Sequence, residues 1–310
     1  MTAPGAASPD APQPPLAPLA PDYVLAGYLL VTGVLAAATL TATGLALAGA
    51  HAVGVAGVWW LSRRPIPRPA PLRFLRIALP VVLTPVLYTE LETLNQLVNP
   101  GYLDETVQAW EASLFGVQLS VVAARELPRL WLSELLHLGY FSYYFVVPIA
   151  AVAAFRAGGL EGLERFTVTV ALGFFLCYLV FAVFPVAGPR YLFPRIEGPP
   201  AEGLLFELVH TVLEAGSSKG TAFPSSHIAA AGAALLAARR ESRRWFWILV
   251  VPVVLLVLGT VYGRFHYGVD ALAGVVVAFL AAGLTPPLIR RVRRARRARH
   301  RPVDGEGGTG

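Results

Sequence analysis

Two short runs, far apart in the chain, hold the residues best suited to chemistry. The first is Gly220-Thr221-Ala222-Phe223-Pro224-Ser225-Ser226-His227. Proline is favoured in the first turn of a helix and serine at its cap, so a helix is predicted to start here. Free amides at such an end form a seat for phosphate. Ser225 and Ser226 would add donors, with His227 beside them. A plain helix cap with His227 at an interface fits the same residues. The second run is Tyr262-Gly263-Arg264-Phe265-His266-Tyr267-Gly268-Val269-Asp270. On a helix, His266 and Asp270 lie one turn apart and face the same way. A carboxylate on one ring nitrogen holds the tautomer and makes the other nitrogen a better nucleophile or base. A structural pair that fixes the loop would have the same spacing. Ionisable groups at the edge of an apolar span are costly unless paired or wet, which favours function. A third run, Phe184-Pro185-Val186-Ala187-Gly188-Pro189-Arg190-Tyr191, supplies Arg190. Its guanidinium is either a two-pronged phosphate clamp or an interface anchor.

The elements that must position these residues are written in composition. The chain has 310 residues, 55% hydrophobic and 14% charged, against about 25% charged in an ordinary soluble domain. Eight apolar segments fall at 23–40, 44–61, 74–90, 132–154, 166–186, 222–238, 245–262 and 269–289, near the length of roughly 17–25 residues that a bilayer-spanning helix needs. Pro80 and Pro85 interrupt the third, so six or seven spans are the alternatives. The expected architecture is an all-α polytopic membrane bundle, with a catalytic domain over 22–289. It is flanked by a Pro- and Ala-rich disordered leader, 1–21, and a basic disordered tail, 290–310. The single Cys177 has no partner for an internal disulfide, and no spacing suggests structural zinc or another metal.

Charge orients the bundle. Arg63, Arg64, Arg68, Arg73 and Arg76 follow segment two; Arg156 and Arg165 flank the turn after segment four. Arg239, Arg240, Arg243 and Arg244 follow segment six, and the arginine tail follows segment eight. With eight spans, all these clusters and both termini fall on one side, the cytoplasm by the positive-inside rule. The net charge of +6 therefore points to anionic lipid at the tail, not to nucleic acid. The end of segment five, the start of six and the link from seven to eight all meet on the opposite face. A transporter would gather its polar groups near the midplane of paired repeats. Here they gather at one surface and no repeat is visible, which counts against a transporter; a transporter or a non-catalytic scaffold is the alternative reading.

Pro224-Ser225-Ser226-His227, followed by His266 and Asp270 four apart with Gly274 beyond, resembles the type 2 phosphatidic acid phosphatase superfamily. The closer likeness is to the branch with inositol phosphorylceramide synthases and their bacterial relatives. It covers 184–274 most firmly. Ser226 stands where that family usually has glycine, and Gly259-Thr260 stand in place of Ser-Arg. Arg190 is followed by Tyr191, not proline, and Val183 replaces a lysine. The resemblance implies a helical, cell-membrane enzyme that needs no cofactor and works at the extracytoplasmic face.

It also implies that His266 attacks phosphorus to form a phosphohistidine while Asp270 orients the ring. His227 protonates the leaving oxygen and then activates water or an alcohol. Arg190, Ser225 and Ser226 would steady the phosphate oxygens. Arg264, out of the family's register, and Lys219, the only lysine, are candidates to supply the missing positive charge, though a solvated loop lysine fits Lys219 equally. The expected substrate is a lipid phosphate, and inositol or another polyol is a candidate acceptor. His137, Tyr140, Tyr143 and Tyr144 share helical spacing and could line a headgroup pocket, though an aromatic belt has the same pattern. Glu90, Glu92 and Asn95 are candidates for holding the polyol or for a polar interfacial edge.

Overall fold

The computed structural model describes residues 18–65 and 69–299. The leader up to residue 17 and the tail from residue 300 lie outside the described residues. The chain forms helices α1 (Ala20–Ala38), α2 (Ala42–Ser62), α3 (Ala70–Val82), α4 (Thr84–Thr89), α5 (Leu91–Val98), α6 (Asp104–Phe115), α7 (Leu119–Glu126), α8 (Leu130–Phe141), α9 (Tyr143–Val183), α10 (Pro189–Leu192), α11 (Leu204–Gly216), α12 (Ser226–Glu241), α13 (Arg243–Tyr262) and α14 (Gly268–Arg299). Among the described residues there is no sheet, only a parallel bridge between Val186 and Thr221.

Five of these helices, and a sixth span formed by α3 and α4 together (Ala70–Thr89), are long and apolar enough to cross a membrane. Their outward faces carry Val53, Trp60, Val251, Leu258, Val276 and Phe279 exposed. Such a large apolar surface belongs in lipid, not water, so this is a multi-pass membrane protein. The third apolar segment is split into α3 and α4, where Pro85 opens the second piece. The fourth begins in α8, and α9 combines its remainder with the fifth. Within α9, Gly159 adopts φ 58° and ψ −148°, outside helical geometry. The two legs of α9 flank α12 in opposite directions. Tyr143 packs against His227 at the start of α12, and Gly158 lies beside Glu241 at its end. On the second leg, Arg165 Nε donates to Glu241 at 2.7 Å, and Phe184 returns to Phe223 before α12.

The core around α12 is built of alanine. Ala229, Ala230, Ala233, Ala234 and Ala237 are buried against α9, and small side chains let the helix axes approach closely. Across the other face, a Cβ at Gly274 of α14 would lie 2.7 Å from the Ser225 carbonyl oxygen and 3.1 Å from Ile228 Cβ. Glycine there lets α14 close on the first turn of α12.

The arginine clusters gather at one end of the bundle. Arg293 bonds Glu161 and Glu164 at 3.2 Å each, and the Ala20 amide donates to Glu164. Arg76 holds Asp22 bidentately at 2.7 and 2.9 Å. Tyr23 meets Trp59 at the far end of α2. Helix α14 runs to Arg299, past the boundary at 289 where a disordered tail was expected. Its last turns are tied to the α9 turn by the Arg293 pairs.

Candidate active site

At the opposite bundle end, three chain segments converge. The link after α9 pairs with the link before α12: Val186 N donates to the Gly220 carbonyl at 3.3 Å, and Ala222 N to the Val186 carbonyl at 3.0 Å. The α13–α14 link joins them, because Ser225 N donates to the Asp270 carbonyl at 3.0 Å. This knot brings His227 and His266 together with ring centroids 5.9 Å apart and planes at 60°. That spacing suits one phosphorus atom flanked by near-attack contacts of about 3–3.5 Å.

The His266 imidazole is held from behind. His266 is buried, and its Nδ1 lies 2.9 Å from the Ala222 carbonyl and 3.5 Å from Asp270 Oδ2. A carbonyl can only accept, so Nδ1 carries the proton and Nε2 keeps its lone pair. The nearer orienting group is thus a main-chain oxygen. Asp270 Oδ2 accepts from Tyr267 N at 2.8 Å and fixes the turn that carries the ring. Burial pushes the His266 imidazole down to about 4, against the opposing pull of the Ala222 hydrogen bond. The ring is neutral at pH 7, the state a nucleophile requires. His227 packs between Tyr140 and Tyr143, with Tyr140 Oη 3.4 Å from Nε2.

Both histidines, Tyr140 and Arg190 line one cavity of about 40 Å³, together with Tyr88 and Ser217. Arg190 donates to Ser217 Oγ at 3.1 Å, and no ion pair occupies it among the described residues. The cavity is little larger than one water, about 30 Å³.

Other expected participants lie elsewhere. Ser225 is fully buried as the cap of α12, accepting from Ile228 N at 3.4 Å, with its own amide spent on Asp270. Ser226 is buried and does not line the cavity. The Lys219 ammonium sits 4.6 Å from the Tyr102 ring and 5.6 Å from Tyr191, near the rim but outside the lining. Arg264 donates to the carbonyls of Pro194 and Val121 and faces a different pocket. His137 is buried among Phe206, His210 and Phe265, with Nδ1 against the Ser133 carbonyl. Tyr144 is 40% exposed and turned away from the cavity. Glu90 pairs with His51 at 3.0 Å. Asn95 donates to the Lys219 carbonyl, bracing the turn where Gly220 takes φ 89°. Glu92 accepts from Lys219 N. Neither Glu90, Glu92 nor Asn95 reaches the histidines.

The residues that sequence reasoning missed do the positioning. Asp104 accepts from the amides of Ala187 and Gly188 at 2.8 Å each and from Tyr267 Oη at 3.0 Å. It joins the Arg190 loop to the His266 loop. Glu111 accepts from Gly268 N, Val269 N and Leu119 N at 2.9–3.0 Å, capping α14 two residues beyond His266. A signal existed, since Asp104, Val107 and Glu111 follow the spacing of one helical face. A carboxylate in line with a buried valine must find partners. Tyr88 is the third, bonding Thr221 at 2.8 Å.

Removing the Glu111 carboxylate should loosen this end. Glu111→Ala leaves three amides unsatisfied, each costing about 1–3 kcal/mol. The expected result is a Tm several degrees lower in detergent and at least about tenfold lower kcat. An unchanged Tm and kcat would show that the cap does not position the site.

Among the described residues, no group of three His, Cys, Asp or Glu side chains could hold a metal ion. Neither curated proteins nor solved structures gave a match to the chain. The family model described as PAP2 superfamily matches residues 105–284, more than half of the chain.

Proposed function

The chain belongs to the PAP2 superfamily, and from that premise we propose that it is a lipid phosphate phosphatase or phosphotransferase that works through a phosphohistidine at the extracytoplasmic face. Family membership implies phosphatase-like chemistry on lipid-related substrates. The single observation that carries the finer reading is the His227–His266 pair, 5.9 Å apart, sharing a cavity with Arg190.

In the first half-reaction His266 Nε2 attacks phosphorus in line as the bond to the leaving oxygen breaks. His227 gives that oxygen a proton. Arg190 neutralises charge on the equatorial oxygens, where preorganised donors contribute most. In the second half-reaction His227 takes the proton from water or an alcohol, which attacks phosphorus and frees Nε2. The Ala222 carbonyl and Asp270 hold the His266 ring and offset its positive charge throughout.

Orientation follows from the arginines. All the described clusters lie at the bundle end away from the histidines. Counting α9 as two legs and α12 as a crossing gives eight passes, a count that supports a cytoplasmic side for both ends of the chain. The site then sits where a lipid headgroup meets water, its tails still in the bilayer.

The test is incubation of purified protein with labelled phospholipids and isoprenoid phosphates, with and without inositol. Release of inorganic phosphate, or transfer to inositol, is the expected result and says which acceptor is used. Intact substrates across the panel would refute the reading.

A further inference from the structure

Beside the histidine cavity lies a second pocket of about 160 Å³, and Arg190 lines both. At about 30 Å³ per water, it has room for roughly five waters, far more than the cavity itself. Its polar lining is Arg190, Arg195, Arg264, His210 and Glu214. Three guanidinium groups around one small space, against one carboxylate, make it an anion site by charge.

The arginines are not neutralised from within. Among the described residues neither Arg190 nor Arg264 forms an ion pair. Arg264 spends its Nη atoms on carbonyls, and its buried Nε has no partner. Arg195 reaches Glu207 at 3.0 Å, but both side chains are about half exposed or more, 48% and 61%, so this contact is easily exchanged. Arg264 also adopts φ 59°, a left-handed conformation that costs a non-glycine residue of order 1–3 kcal/mol. That cost is borne two residues from His266, by the residue that lines the pocket.

The remaining lining groups are acceptors. His210 Nδ1 lies 2.8 Å from the Phe206 carbonyl, which leaves Nε2 as an acceptor. Burial lowers its pKa, so the ring adds no charge at neutral pH. Phe265, which packs on His210 at 5.4 Å and lines the histidine cavity, stands between the two spaces.

We propose that this pocket is a subsite for a second anionic group, a phosphate on the water-side portion of the substrate, held by Arg195 and Arg264 while Arg190 bridges to the reacting phosphoryl group. Hydroxyls on that portion would donate to Glu214 and His210. The inference rests on the phosphotransfer reading above for its link to catalysis, not for the existence of an anion site. Two sources share this chemistry: the headgroup of the lipid donor, or a soluble phosphorylated polyol that accepts the phosphoryl group.

The direct test is equilibrium dialysis of labelled inorganic phosphate against the full-length chain in a phosphate-free detergent. It uses His266→Ala, so that no phosphoenzyme forms. Saturable binding is expected, weakened about tenfold or more by the further change Arg195→Gln, the loss of one charge-assisted hydrogen bond. Arg195 is half exposed, so its replacement should not unfold the bundle. No saturable binding, or equal affinity with and without Arg195, overturns the subsite. Turnover then separates the sources. A kcat/KM about tenfold higher for a lipid with a second headgroup phosphate assigns the donor. A transfer product with a soluble polyol phosphate assigns the acceptor. Neither result, in an enzyme that does hydrolyse simple lipid phosphates, overturns the substrate assignment. Failure of all lipid turnover with phosphate binding intact would instead refute the phosphotransfer reading.

Discussion

Replacing His266 with alanine is expected to reduce lipid phosphate turnover by roughly 10⁴–10⁶-fold, the scale of losing a covalent nucleophile. No other group in the cavity can take over. Tyr88 and Tyr140 are engaged with Thr221 and His227, and Ser217 is paired with Arg190 and Tyr191. The ring contributes one main-chain hydrogen bond and its packing, so the bundle should survive its removal with a modest loss in Tm. Melting in detergent separates the two effects. A variant that stays folded and turns over at the wild-type rate would remove His266 from the chemistry.

His227→Ala is expected to cost about 10²–10⁴-fold in kcat, the usual range for a general acid and base. The loss should depend on the leaving group in a way that a structural defect would not. With an aryl phosphate, whose departing oxygen needs no proton, formation of the phosphoenzyme should be nearly restored. Its breakdown still lacks a base to activate water, so the phosphoenzyme should accumulate as a burst. An equal loss for alkyl and aryl phosphates, with no burst, would mean that His227 only shapes the cavity. Arg190→Lys differs from both variants, since a lysine cannot reproduce the two-pronged grip of a guanidinium on two oxygens.

Much of this arrangement was legible in the sequence, for physical reasons that can be named. The apolar segments were readable because lipid demands long apolar runs, and each lies largely within helix, although six spans rather than eight are long and apolar enough to cross a membrane among the described residues. The meeting of residues 184–190, 220–227 and 262–270 at one end followed from counting antiparallel passes. What was not legible depends on which face a helix presents. Tyr143 and Tyr144 stand three and four residues beyond Tyr140, and Ser142, where α8 passes into α9, keeps helical dihedrals, so spacing alone puts both near the face of Tyr140. It is Tyr143 that joins Tyr140 against His227, while Tyr144 stays exposed. His137 was drawn away by the aromatic rings of α11 and the 265 loop, whose positions no local pattern encodes.

The basic residues were misplaced for a related reason. Arg264 is two residues from His266 in sequence, yet its left-handed backbone sends the side chain toward Pro194 and Val121. Sequence spacing predicts nothing about a residue in that conformation. Ser225 looked like a phosphate donor because its type and position suit a cap, and capping is what it does. In the sequence Glu90 and Asn95 read as holding a polyol or as a polar interfacial edge. Their partners, His51 and the Lys219 carbonyl, lie 39 and 124 residues away in the chain, beyond the reach of any spacing rule.

The account stands or falls on a covalent bond between phosphorus and one imidazole. Brief incubation with lipid carrying ³²P in the phosphate, followed by quenching in strong base and peptide mapping, reads it directly. Label should be retained in base, lost in acid, located on the peptide containing His266 and absent from His266→Ala; with a labelled aryl phosphate in place of the lipid it should be more abundant in His227→Ala. Label on another residue, or turnover by the wild-type protein with no base-stable label under single-turnover conditions, would contradict the account.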